Sequence, residues 1–410
     1  MSKSSVNNLF TVEESERPNI VNIKVIGVGG GGANMVNYMI REGQKGIDMI
    51  VANTDYQHLA TSLASTKIQL GEKRTSGLGS GGQPEVGKQA AEESYDQVKE
   101  ALKGADLVFI AVGLGGGTGT GACPVVAQAA KENGSLTIGV CTLPFSFEGP
   151  KRSKLAKNGL ESLRGECDSM IVVPNEKLFS IVDKSMSYAE SFAMVDAVLA
   201  RAVRGISSVV LPSGMDGINT DFNDLKTVMG HRGKALMGMG HSLEGNDSAY
   251  DALKDAIESP LLDNLSINGA MGVLAHFQFN PVYPLVAINR AMQVVHDAVG
   301  DDSDVIFGTS LDASLKPEEV RVTIIATGFS SGEPDVEMNS SKSARVSESK
   351  PSGGTMTYDP QKGGFVFSDG RMVDMDEPSI IRKREAQHRK AVGDFDDDLS
   401  SPTYRRRQID

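Results

Sequence analysis

Tryptophan is absent and aromatic residues make up only 5% of the 410-residue chain. That leaves little material for the stacked aromatic platforms that hold single-stranded nucleic acid. Basic charge is short as well: 41 Lys and Arg stand against 53 Asp and Glu, for a net charge of −12. Such a balance argues against nucleic acid as a partner, because non-specific binding to it runs on phosphate neutralisation. Cysteine is limited to Cys123, Cys141 and Cys167, too few and too odd in number for a disulfide framework. They read as small buried apolar residues of a cytoplasmic protein. No apolar run approaches the roughly 20 residues that a membrane span needs. The first 19 residues are polar and have no apolar signal core, so neither membrane insertion nor secretion is expected.

Glycine is abundant, at 45 residues, and its placement is informative. From residue 20 onward, apolar β-branched runs alternate with helical patterns: NIKVIGV (22–28), MIVANT (49–54), LVFIAVG (107–113), LTIGVCTLP (136–144) and MIVVPN (170–175). Continuous apolar strands separated by helices predict an α/β fold whose parallel sheet is covered on both faces. The stretch 84–104 reads as one amphipathic helix opened by Pro84. Residues 188–211 read as one long helix, with Phe192, Val195, Leu199, Val203, Ile206 and Val210 at helical spacing; such a helix could lie between two domains or simply on a surface. A second, smaller α/β unit follows over 225–330. Composition then turns to Ser, Gly, Glu, Asp and Lys, predicting a flexible linker over 331–375 and a charged tail over 376–410. Residues 1–19 read as a flexible arm.

Two glycine loops each join a strand to a helix. The first, Gly27-Val28-Gly29-Gly30-Gly31-Gly32, satisfies G-x-G-x-x-G and taken alone leaves a dinucleotide site open. The second runs Gly113-Leu114-Gly115-Gly116-Gly117-Thr118-Gly119-Thr120-Gly121. Two such loops on one sheet can grip both ends of a polyphosphate, and the Thr118 and Thr120 hydroxyls add donors beside the backbone N–H groups. No G-x-x-x-x-G-K-[ST] is present, so this is not a P-loop chain.

GGGTGTG in this setting is the signature of the tubulin superfamily, and 20–330 resembles its FtsZ family, the cell-division GTPases of bacteria. The motifs stand in order: GVGGGGAN, ANTD, GLGSGGQPEVG, GLGGGTGTGA, PFSFEGPKR, VPNEKL, the Phe192/Asp196 pair, NTDFND and KALMGMG. The resemblance implies a tubulin/FtsZ-like fold: a GTP-binding domain over 20–187, a central helix over 188–211 and an activation domain over 212–330. It implies that Gly29, Gly30, Gly31 and Asn34 form the first nucleotide loop, and Gly115, Gly116, Gly117, Thr118, Gly119 and Thr120 the phosphate loop. Glu148 and Arg152 then match ribose and nucleotide contacts. Asn175, Phe192 and Asp196 match the guanine pocket, where one carboxylate can accept from both donors of the guanine edge and a ring can stack.

Asn219, Asp221 and Asp224 match the family's catalytic loop, implied to enter the GTP site of the next subunit in a head-to-tail polymer, with Mg²⁺ offsetting the phosphate charge. Taken alone, Asp221 and Asp224 read equally well as the cap of the helix that follows. The sequence does not name the residues that would hold the metal. The tail, FDDDLSSPTYRRR or DEPSIIRKR, resembles the family's docking peptide for an actin-like membrane tether and other division proteins at mid-cell. The chain departs from the family pattern at Ala33, at Gly81-Gly82-Gln83, in the longer LPSGMDGIN and at 276–280. A GTP-binding paralogue without turnover and an NAD oxidoreductase are the competing readings; the first must explain the retained acidic pair, and the second has no use for the second glycine loop.

Overall fold

A computed structural model describes residues 21–178, 187–211, 221–231, 234–243, 245, 247–262, 267, 269–300, 303–329, 357–359 and 364–366. Asn219, the arm over 1–19 and the tail over 376–410 lie outside these residues.

The chain opens with β1 (Ile23–Val28), α1 (Gly29–Arg41), β2 (Ile47–Asn53), α2 (Tyr56–Ala60), β3 (Thr66–Gln69) and α3 (Glu72–Thr75). It continues with α4 (Pro84–Glu93), α5 (Tyr95–Leu102), β4 (Leu107–Gly113), α6 (Thr118–Glu132), β5 (Leu136–Leu143), α7 (Pro150–Arg164), β6 (Ser169–Pro174) and α8 (Asn175–Leu178). These six strands are all parallel, in the order β3-β2-β1-β4-β5-β6. The continuous apolar runs are explained by burial on both faces. Val25, Val51, Phe109 and Ile138 lie on the face covered by α1 and α9 (Tyr188–Val210), while Ile26, Ile50, Ile110 and Cys141 lie on the face covered by α4, α5, α6 and α7.

The single helix expected over 84–104 is corrected to two. The chain breaks at Ser94, whose hydroxyl accepts from the Gly71 amide (3.0 Å) and donates to the Gln69 carbonyl (3.3 Å). A side-chain bond to a neighbouring turn competes with helix continuation, and periodicity alone carries no sign of it.

The long helix α9 (Tyr188–Val210) starts with a capping box in which Ser187 and Glu190 bond each other's backbone N–H. Its apolar stripe is buried in one continuous core that joins α1 and the parallel sheet to residues of the C-terminal half, including Leu225, Met237, Leu274, Ile306 and Ile325. The helix therefore lies between the two halves. Beyond it come α10 (Phe222–Gly230), β7 (Lys234–Ser242), α11 (Ser248–Ile257), β8 (Gly272–Phe279), α12 (Leu285–Ala298), β9 (Asp304–Leu311) and β10 (Val320–Thr327). The sheet continues as β7-β10-β8-β9, now mixed, with β10 antiparallel to both neighbours. Only Met170↔Lys234 and Ile171↔Ala235 pair β6 with β7. The C-terminal sheet packs α11 and α12 over a separate core around Phe277, Val322 and Ile324.

A second unit, 334–410, is described only at β11 (Thr357–Asp359) and β12 (Gly364–Val366), which pair antiparallel. The hairpin falls within the stretch 331–375 expected to be a flexible linker.

Candidate functional site

The strand order reverses direction between β1 and β4, which are adjacent and parallel, with Val28 paired to Val112. The following helices leave for opposite faces of the sheet, α1 to one and α6 to the other. A crevice at the carboxyl ends of two such strands is where doubly wound sheets take ligands, and both glycine loops sit there. They interlock at backbone distance. Gly29 has φ +70°, and a Cβ on it would come within 2.8 Å of the Gly119 nitrogen; one on Gly31 would come within 3.1 Å of Gly113. Substituting either glycine would push the loops apart.

Helices α1 and α6 both start without a side-chain cap and without an acidic residue in the first turn. Two sets of free N–H groups and two positive dipole ends thus converge, an arrangement suited to phosphate. Gly30, Gly31 and Asn34 are exposed at the start of α1. A Cβ on Gly116 would meet nothing within 4 Å, so this part of the second loop borders open space.

The two threonines divide their tasks. Thr118 Oγ1 is 2.6 Å from Thr54 Oγ1 and 3.0 Å from Ser80 Oγ, so three hydroxyls from three loops meet at the start of α6. Thr120 is buried, and its hydroxyl accepts from the Gly115 N–H (2.8 Å), which folds the loop onto itself. Thr54 and Ser80 lie within the ANTD and GLGSGG motifs, and the sequence alone gives neither a role. The signal was a short polar residue set among glycines; Gly77, Gly79, Gly81 and Gly82 all have positive φ and hold that third loop in a shape other residues resist.

Further along the same strand ends, Asn175 closes β6 and starts α8. It is 5% exposed, and its Oδ1 is buried with no hydrogen-bond partner among the described residues. Native structures seldom leave such an atom unsatisfied. Phe192, half-buried on α9, packs edge-on against Phe145 (5.5 Å between centroids), which stacks on Phe147 (5.0 Å). One turn beyond Phe192, Asp196 is largely removed from water; burial pushes its carboxyl up to about 7, and the Arg41 charge only partly opposes the shift. A carboxylate held this way favours a ligand that donates protons to it. Glu148 is tied on both oxygens, one accepting from the Phe145 N–H (2.9 Å) and the other pairing with Arg152. Arg152 is itself exposed, and its carbonyl lies against Gly115.

Asp221 and Asp224 are not among these loops. Both are exposed on α10, which packs on β8 and β9 and whose Val228 carbonyl accepts from the Thr327 hydroxyl (2.7 Å). Asp221 is the N-cap of α10, accepting from the Asn223 N–H (3.0 Å). Among the described residues no group of three or more His, Cys, Asp and Glu side chains is placed to hold a metal.

The comparisons with known proteins agree with this geometry. Residues 22–183 match the GTPase domain of the Tubulin/FtsZ family, and 233–330 match the C-terminal domain of the FtsZ family. An empty FtsZ dimer from M. jannaschii is 41% identical at a TM-score of 0.71, over 75% of this chain and 88% of that one. The chain belongs to the FtsZ family. A point mutant of the same FtsZ is 40% identical at TM-score 0.71, over 76% of this chain and 92% of that one. A CetZ2 protofilament from Haloferax volcanii shares the fold at 21% identity and TM-score 0.64, over 76% and 95% of the two chains.

As a family member the chain is a tubulin-like GTPase of cytoskeletal type that binds GTP and GDP. The dinucleotide and oxidoreductase reading left open by the first loop is set aside. The residues fit the guanine nucleotide: uncapped helix starts and the space at Gly116 suit phosphates, and the unpartnered Asn175 Oδ1 and the desolvated Asp196 suit a base rich in donors.

Proposed function

We propose that this GTPase assembles head to tail into protofilaments of a bacterial division ring and hydrolyses GTP only where two subunits meet. In this reading Gly29, Gly30, Gly31 and Asn34, with Gly115, Gly116, Gly117, Thr118, Gly119 and Thr120, hold the phosphates, Thr120 by shaping its loop. Asn175, Phe192 and Asp196 take the guanine. Glu148 and Arg152 flank the ribose and phosphate side.

The observation that carries the shared-site mechanism is a separation within one chain. The glycine loops have no carboxylate in their helix starts, while Asp221 and Asp224 are exposed on α10 in the other half. Supplied by a neighbouring subunit, these two carboxylates, with Asn219 beside them, would orient the attacking water by accepting its protons. Mg²⁺ would be held mainly by the substrate phosphates, as is usual for this ion, in keeping with the absence of an acidic cluster among the described residues.

Two exposed apolar patches support self-association. Tyr56 and Leu78 rim the nucleotide end at 59% and 86% exposure; Val282, Leu285 and Val286 lie at the start of α12 at 71%, 66% and 80%. Apolar clusters of this kind mark contact surfaces. The relative from M. jannaschii was solved as a dimer.

The same reading places the protein in the cytoplasm at mid-cell. The tail over 376–410 would dock an actin-like membrane tether and other division proteins, with neither nucleic acid nor the bilayer as a direct partner. No described helix is long and apolar enough to cross a membrane.

The test is enzymatic. Specific GTPase activity should rise steeply above a threshold protein concentration. Asp221→Ala and Asp224→Ala should bind GTP nearly normally, lose most turnover and poison wild-type neighbours in mixtures. Activity independent of concentration, or variants that fail in GTP binding, would overturn the shared site.

A further inference from the structure

Away from the nucleotide loops, the middle of α9 and the C-terminal sheet line a narrow cleft that opens to solvent. Arg201 and Arg204 reach it from α9, Arg321 and Thr323 from β10, and His276 and Gln278 from β8. Three guanidinium groups on one small cleft is an unusual concentration of charge in a chain with a net charge of −12.

The three arginines are satisfied unequally. Arg321 is fixed by the buried Glu319, whose Oε1 accepts from Nε (3.1 Å) and a terminal nitrogen (2.8 Å) and also lies 3.0 Å from His241 Nε2. Arg204 donates from Nε to a neutral acceptor, Gln44 Oε1 (3.0 Å). Neither Arg201 nor Arg204 forms an ion pair among the described residues. Desolvation, then repulsion from Arg321, lowers the Arg201 guanidinium below its ordinary value; Arg204 adds to the repulsion and Glu42 offsets it in part. A further carboxylate, Asp312, accepts from Gln278 Nε2 (2.8 Å) and from the Ser314 hydroxyl (2.5 Å).

A second, independent observation points into the same cleft. His276 is only 4% exposed, and its Nε2 is buried with no hydrogen-bond partner among the described residues. Burial first, then the Arg204 charge, holds its imidazole down at about 4, so the ring is neutral at physiological pH. In the tautomer protonated at Nε2 it has one N–H to give and no protein acceptor to take it.

We propose that this cleft is a binding site for a small oxyanion of the phosphate or carboxylate class, held by Arg201, Arg204 and Arg321 with His276 Nε2–H as a further donor. Planar guanidinium forks match the paired oxygens of such groups. The anion would touch both the central helix and the C-terminal sheet.

The test uses the full chain saturated with GDP, so that the phosphate loops are already occupied. Inorganic phosphate and, separately, succinate are titrated at constant ionic strength while the ¹⁵N resonance of His276 Nε2 is followed. One or both probes should shift it saturably, and the tighter probe identifies the class. Arg204→Gln should weaken that binding roughly tenfold or more, the loss expected for one charged hydrogen bond, and leave GDP affinity unchanged. If Arg204→Gln does not fold, Arg201→Gln serves in its place. No saturable shift with either probe, or a shift that the folded variant leaves intact, would overturn the proposal.

Discussion

The glycines of the nucleotide half and those of the C-terminal half are equally crowded, but by different neighbours. At the ends of β1 and β4 they meet the backbone of the other turn: a Cβ on Gly29 would come within 2.8 Å of the Gly119 nitrogen, and one on Gly119 within 3.0 Å of the Gly113 carbonyl. Inside β7, Gly238 and Gly240 meet the carbonyls of Ala256 and Ala252 on α11. In the first half the missing side chains let strand-to-helix turns interlock and leave a cradle of N–H groups at the sheet's edge. In the second they merely let a helix lie flat on a strand. The lesson is that a glycine signals a ligand only where it stands at a carboxyl-end turn and borders open space; within a strand it signals packing.

The largest effect expected from this comparison is in the C-terminal half. Gly240→Ala sets a methyl group against a helix backbone, and overpacking there should cost about 3 kcal/mol or more. Urea unfolding should show that loss, while the molecules still folded bind GTP as before. A selective loss of nucleotide affinity would break the distinction between packing and ligand glycines.

Next in size is Asp196→Asn. If Asp196 reads the base as proposed, the change removes a hydrogen bond to a charged group, about 1.5–3 kcal/mol of GTP affinity. The same change should have the opposite sign in nucleotide-free protein. The Asp196 carboxyl is raised in the folded state to about 7 from an ordinary 3.8, so its contribution to stability is full below the unfolded value and is lost as pH rises through 7. Nucleotide-free Asp196→Asn should therefore melt higher than the parent at pH 8, and the difference should shrink as pH falls. GTP affinity of the parent should fall below pH 7, as the acceptor becomes protonated. An affinity flat between pH 6 and 8 would remove Asp196 from the site.

The smallest effect sharpens the comparison most. Gly116→Ala meets no atom of the protein, so thermal unfolding should stay within about 0.5 kcal/mol of the parent. GTP affinity should nevertheless drop roughly tenfold, because the methyl group occupies space where the phosphates approach. Equal affinity would mean that this loop does not face the nucleotide.

Much of this architecture was legible in the residues. The continuous apolar strands announced a parallel sheet buried on both faces, and the stripe from Phe192 to Val210 announced a long helix. What periodicity could not carry were features fixed by contacts distant in sequence. Ser94 breaks a helix because Gly71 and Gln69 lie beside it, and Thr120 turns inward because Gly115 needs an acceptor. Thr54 and Ser80 stood in quoted motifs, yet their meeting at Thr118 depends on how three loops converge. The Arg201, Arg204 and Arg321 cleft was not visible at all, since the residues lie on α9 and β10 and nothing in the local pattern links them.

The two-residue pairing of β6 with β7 gives the molecule a mechanical character. The ladders on either side are much longer, six residue pairs between β1 and β4 and eight between β8 and β9. Tension drawn across the sheet would concentrate on Met170–Lys234 and Ile171–Ala235, and these would part before any other rung. The halves would then hang on α9, a 23-residue rod about 35 Å long. A filament of such subunits has a compliant seam in every monomer, so bending it would store elastic energy inside the subunits as well as between them.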